Sequence, residues 1–97
     1  MVAFNTKNVF TYPGGTRDSG IEDATIVATH LVLAAADAGV DSCWINFFDP
    51  DKARDIFDLP EDEAVLMFLD LGYAAEGAGP LANHVSRKEL TDTVTYL

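Results

Sequence analysis

The order of elements written into this chain, helix, strand, helix, strand, predicts a layered α/β or α+β domain. Three observations carry that prediction. The stretch "SGIEDATIVATHLVLAAADAGV" has helix-capping residues at both ends. "DSCWINFF" and "AVLMFLDLGY" are apolar runs of strand length, and an Asp-Pro pair after the first of them opens a short second helix. No internal repeat or linker divides the chain.

Taken in order, residues 1–17 hold the short β-prone runs "VAF" and "NVFTY" followed by a "PGG" turn, and read as a partial strand and loop. The long helix is expected over Ile21–Ala38. Ser19 and Glu22 have the spacing of a capping box, and Gly39 stands where a left-handed C-terminal cap belongs. Ile21, Ala24, Val27, Ala28, Leu31 and Ala35 form one apolar stripe, which Ile26, Val32 and Leu33 widen. A helix apolar on several faces is buried on several faces, in a larger core or against another chain. Thr25, Ala28, Ala34, Ala35 and Ala36 are small enough to let a partner helix come close.

"DSCWINFF" is nearly unbroken in its hydrophobicity, as a central strand covered on both faces would be. Asp49 as N-cap and Pro50 at the first helical position then start about two turns of helix through "PDKARDIF". "LPEDE" is a turn, and "AVLMFLDLGY" a second buried strand ending at Gly72. "AAEGAGPLANHVS" is a loop, and "RKELTDTVTYL" closes the chain as a short turn and an extended tail.

The 97 residues make one small domain or part of a larger one. A net charge of −10 opposes binding to nucleic acid or to an anionic membrane surface. No apolar run approaches the roughly 20 residues of a membrane span, and the N-terminus lacks the pattern of a signal peptide. A soluble cytoplasmic protein is therefore expected, and the lone Cys43 is compatible with a reducing compartment. There is no metal-ligand spacing. On the residues alone, Cys43 reads as a small buried hydrophobe, His30 as a packed or interface residue, and His84, in a polar loop, as a solvent-facing residue or one lining a pocket. Asp37, Asp41 and the "EDE" run read as a solvated acidic surface. "GYAAEGAG" follows a strand without opening a helix, which rules out a dinucleotide-binding glycine loop.

The run from Asp18 to Val94 resembles the C-terminal half of the FMN-dependent nitroreductase family. The pieces that carry the likeness are the Ala-rich helix ending in Ala-Gly-Val, "SCWI" followed by "FDPDKARDIFDLPEDE", the strand ending "LGYAAEGAGP", and the "RK-x-L" near the end. The resemblance implies an α+β homodimer in which the long helix, packed on a small mixed sheet, lies at the subunit interface. It further implies that the C-terminal tail "TDTVTYL" crosses to a sheet edge of the other chain. The implied chemistry is hydride transfer from NAD(P)H to FMN and on to a small nitroaromatic or quinone acceptor, with the cofactor as the reactive centre.

Residue by residue, the resemblance puts the backbone of Asn46 and Phe47 against the N5 and O4 edge of the flavin. Trp44 is either core or a cover for the ring. Arg87, with Lys88 beside it, is implied at the FMN phosphate, where a guanidinium suits bidentate binding. Many members have Gly or Glu-Gly where this chain has Asn46-Phe47, a change that narrows the flavin edge or alters the hydrogen bond at N5. The family's Arg-x-Ser-x-Arg motif, which belongs to its N-terminal segment, has no counterpart in residues 1–17. The expectation is thus a chain supplying the C-terminal half of the enzyme, as a homodimer, with a separate N-terminal-half chain, or as a truncated or proteolysed piece. The alternative is a non-catalytic truncated fragment, or a small α/β protein that self-associates through the Ile21–Ala38 helix, binding no flavin.

Overall fold

The structure, a computed structural model, describes residues 1–97 and runs β1 (Val2–Asn5), α1 (Gly20–Asp37), β2 (Asp41–Ile45), α2 (Pro50–Ile56), β3 (Glu63–Gly72) and a 3-10 turn at Leu90–Asp92. The long helix, the two-turn helix and both apolar strands fall where their caps and apolar runs put them. The class is α+β, with a sheet of order β1-β3-β2.

The sheet is not mixed as expected, because both pairings are antiparallel. β3 is the spine, and its two halves serve different partners: β1 pairs with Glu63–Met67, and β2 with Phe68–Gly72. Since β3 starts beyond the end of β2, the chain has only to reverse direction, which α2 and the turn after it accomplish. Parallel pairing would need a full return crossover.

Burial is concentrated on the first half of β3. Met67 is 2% exposed and clusters with Val2, Ala24 and Ala28, the last at 0%. Gly20, Ala24 and Ala28 recur every fourth residue on one face of α1 and are its buried positions, so a narrow stripe of minimal side chains lets the helix come close to the sheet. The expected broad stripe is not covered within this chain: Ile21, Val27 and Leu31 are exposed, as are Ile26 and Leu33. On the opposite face of β3, Phe68 meets Phe48 and Phe57, with ring centroids 4.8 and 5.8 Å away. Adjacent strand residues point to opposite faces, so α1 and α2 cover different sides of the sheet.

The caps are partly as expected. At the end of α1, Gly39 has φ +71°, its N–H donates to the Ala36 carbonyl, and the Val40 N–H donates to the Ala35 carbonyl. These two bonds make a Schellman motif. Asp49 Oδ1 accepts from the Asp51 and Lys52 N–H groups at 3.1 and 3.2 Å, the N-cap that Asp-Pro predicts. The capping box at Ser19 and Glu22 does not form. Ser19 Oγ instead accepts from the Phe10 N–H and donates to Asp23 Oδ2, while Asp18 Oδ1 takes the Gly20 N–H. Glu22 is drawn away by the Tyr12 hydroxyl and Arg17, each at 2.7 Å. The run "NVFTY" is not a strand; it contributes only the Thr11–Asp18 bridge and this anchor onto the start of α1.

Two further expectations change. β2 is an edge strand and not a central one, with Asp41 to Trp44 exposed. Continuous apolarity predicts cover on both faces, and this chain alone does not supply it. Cys43, opposite Asp70 on this edge strand, is likewise exposed and not buried. After Ala74, whose N–H donates to Asp41 Oδ2 at 2.8 Å, every hydrogen bond of the last 23 residues stays within that segment. The arm raises the radius of gyration to 17.0 Å, against about 12.5 Å for a compact domain of this length.

Two outcomes follow from this packing. A Cβ on Gly20 would intrude on the Phe4 ring. Gly20→Ala is therefore expected to cost about 1–3 kcal/mol by overpacking, more than the helix propensity it gains, and a urea unfolding midpoint at or above wild type would contradict this. Asp62 accepts from Asn5 Nδ2 at 3.2 Å and pairs with Lys7 at 3.5 Å. The Asn5 hydrogen bond, with lesser help from the backbone and Lys7, holds its pKa below the ordinary 3.8. Because folding depresses this pKa, the contribution is present above 3.8 and is lost as pH falls through the lower folded value. Asp62→Asn should flatten the fall in stability across that acid window, read by unfolding at a series of pH values.

Candidate functional site

β2 and α2 are joined by four residues whose conformation is set from both sides. The last ladder pair is Ile45 with Phe68, and Asp49 begins the cap of α2. Between them the Phe48 N–H donates to the Asn46 carbonyl at 3.0 Å, closing a three-residue turn. That turn ejects Phe47, which is fully exposed, and draws Phe48 inward against Phe68. It also leaves the N–H groups of Asn46 and Phe47 with no acceptor in the chain. Asn46, Phe47, Phe48 and Asp49 line an open hollow of about 320 Å³. A pair of unpaired amide donors at a strand end is an arrangement suited to an electron-rich acceptor.

Trp44 stands two residues before this turn, paired with Leu69 and 40% exposed. It is neither fully buried core nor loose surface: its indole Nε1–H donates to Asn46 Oδ1 at 3.0 Å. Nothing in the sequence marks that bond except the two-residue spacing, which puts both side chains on one face of an extended segment.

Arg87 and Lys88 are not brought to Asn46 and Phe47. They lie in the arm, exposed, and no hydrogen bond, ion pair or shared hollow joins them to the strand end. Arg87 Nη1 donates to the His84 and Ser86 carbonyls at 2.8 and 2.7 Å, leaving the rest of the guanidinium free. The other cations are all engaged with carboxylates: Lys7 with Asp62, Arg17 with Glu22, Lys52 with Asp49, and Arg54 with Asp51 and Asp55. Arg17 also lies 4.3 Å from the Tyr12 ring centre, and its pKa is raised by a hydrogen bond to Tyr12 and by the charge of Glu22. Arg87 and Lys88 are the two cations without an acidic partner. A second hollow, between α2, β1 and β3, is lined by Phe4, Arg54, Glu63 and Leu66 among others and contains no residue expected at the site.

The sequence model of the Nitroreductase family matches residues 3–73. This chain belongs to the nitroreductase family. The match takes in β1 and the loop before α1, and it stops before Arg87 and Lys88. Among relatives, the chain is 30% identical over 81 residues to a putative NAD(P)H nitroreductase, YodC, of Bacillus subtilis (strain 168), covering 84% of this chain and 38% of that protein. Among solved structures, it superposes on a nitroreductase family protein (cd3355) from Clostridium difficile 630 with a TM-score of 0.83 at 28% identity. That superposition covers 97% of this chain and 55% of the other. The chain thus spans little more than half of one nitroreductase relative and less than half of the other. No helix is long and apolar enough to cross a membrane.

Proposed function

We propose that this chain is the flavin-edge half of an FMN-dependent oxidoreductase of the nitroreductase type, passing reducing equivalents from NAD(P)H to a small nitroaromatic or quinone acceptor. The observation that carries the reading is the strand end at Asn46-Phe47. Its two amides have no acceptor in the chain, the residues that carry them line an open hollow, and the acceptor atoms on the edge of an isoalloxazine ring call for donors of this kind. When bound, FMN supplies the hydride chemistry. The chain's own part is to hold those donors rigid, through the β2–β3 ladder on one side and the Phe48–Phe68 contact on the other, where charge accumulates on the ring. Arg87 and Lys88 serve the phosphate end, and since one chain does not bring them to the strand end, the arm reaches its place in an assembly.

That assembly is a homodimer, or a complex with a chain carrying the N-terminal half. In support of it, α1 leaves Ile26, Val27, Leu31 and Leu33 uncovered, and the arm carries exposed Leu81, Val85, Leu90 and Tyr96 with no surface of its own to pack on. The second reading, a self-associating protein without flavin, draws on the same exposed helix and on the separation of Arg87 from the hollow.

A visible spectrum after incubation with FMN and desalting separates the two. Retention of close to one flavin per chain is expected, and loss of all flavin from micromolar protein with no partner chain present would remove the reading of this chain as a self-sufficient flavoenzyme. On self-association both readings agree: sedimentation equilibrium should report a dimer, and Leu33→Asp should shift it towards monomer by placing an unpaired charge in the interface. A wild-type monomer would contradict the interface on α1.

A further inference from the structure

We propose that Trp44 is a positioning residue whose indole fixes the Asn46 side chain as a third, directed donor on the flavin edge; this rests on the FMN reading above. Trp44 and Asn46 leave the same face of the strand, and Trp44 is itself fixed by its ladder position opposite Leu69. Indole nitrogen is a donor only, so the atom it meets at 3.0 Å must be the amide oxygen of Asn46. That fixes which way round the amide lies. Oδ1 is turned to the indole, and Nδ2, with two N–H groups and no partner in the chain, is turned away from it.

An asparagine next to a hollow would otherwise rotate among several orientations, some presenting its oxygen to the ring edge and repelling acceptor atoms there. The indole bond removes those orientations. A side chain at this position therefore adds a donor beside the two backbone amides instead of merely crowding the ring. Trp44 does this without touching the flavin, so it is neither simple core nor a cover for the ring.

The experiment uses the full chain, ¹⁵N-labelled, with Trp44→Phe, Asn46→Ala and the double variant. Phenylalanine keeps the aromatic packing and deletes only the donor. The Asn46 side-chain NH₂ signals, identified by their loss in Asn46→Asp, should move towards those of a free asparagine and exchange faster with water in Trp44→Phe. FMN affinity, read by flavin fluorescence quenching, should fall about threefold to tenfold in Trp44→Phe, equally in Asn46→Ala, and no further in the double variant. Unmoved NH₂ signals in Trp44→Phe would overturn the proposal. So would weakened FMN binding in Trp44→Phe with none in Asn46→Ala, which would mean that Trp44 contacts the flavin itself. Absence of FMN binding by the wild type would instead sink the FMN reading and the donor role with it. The NH₂ signals of the flavin-free chain still report whether the indole holds the amide, so the two failures are told apart.

Discussion

The seat of α1 on the first half of β3 is the contact on which the rest of the structure depends. It is made almost entirely of small residues on the helix side, Gly20, Ala24 and Ala28, against Val2, Phe4 and Met67 on the sheet. Small side chains bury little area each, so the stabilisation comes from closeness: dispersion falls steeply with separation, and a helix held further out would lose it. This seat orders β1, aligns β3, and so determines where β2 and the turn after it must lie. It also leaves the larger residues of α1 pointing elsewhere.

That division explains what could and could not be read from the amino-acid order. Local chemistry was legible: Gly39 ends α1, Asp49-Pro50 begins α2, and Gly72 closes β3. The capping box that the Ser19–Glu22 spacing predicts does not form, because Glu22 has two stronger partners, Tyr12 and Arg17, that are close only once the preceding loop folds back. The apolar breadth of α1 is expected to be covered by a larger core or another chain, and this chain leaves it exposed; the continuous run through β2 is expected to be a covered central strand and is an exposed edge. A hydrophobic pattern specifies that water is to be excluded and is silent on the identity of the neighbour. Strand direction was equally hidden, because it depends on the relative starts of β2 and β3 and not on the composition of either.

The candidate site divides along the same line. Its strand-end half is implied by the family resemblance, and the order of residues adds that a strand running into Asp-Pro turns within a few residues. Its detail was not legible there: that Phe47 goes out and Phe48 goes in, and that Trp44 reaches Asn46, are results of the turn closing on Phe68. The basic half comes from the family resemblance together with the adjacency of Arg87 and Lys88, while the other side-chain cations are paired with carboxylates. What no local reading supplies is the path of the arm that carries Arg87 and Lys88.

The split pairing of β3 has a consequence for motion. Residues 63–67 are backed by the core beneath α1, whereas residues 68–72 are held by an exposed edge strand and shade from half-buried to open. One strand therefore spans a stable and a labile region, with the boundary at Phe68, the residue that also supports the turn at Asn46. The turn at Asn46 is tied to that boundary residue twice, through the Phe48–Phe68 contact and through the Ile45–Phe68 ladder pair. Anything that docks against the free edge of β2 would quiet the loose part, and its effect would reach the donors without touching them.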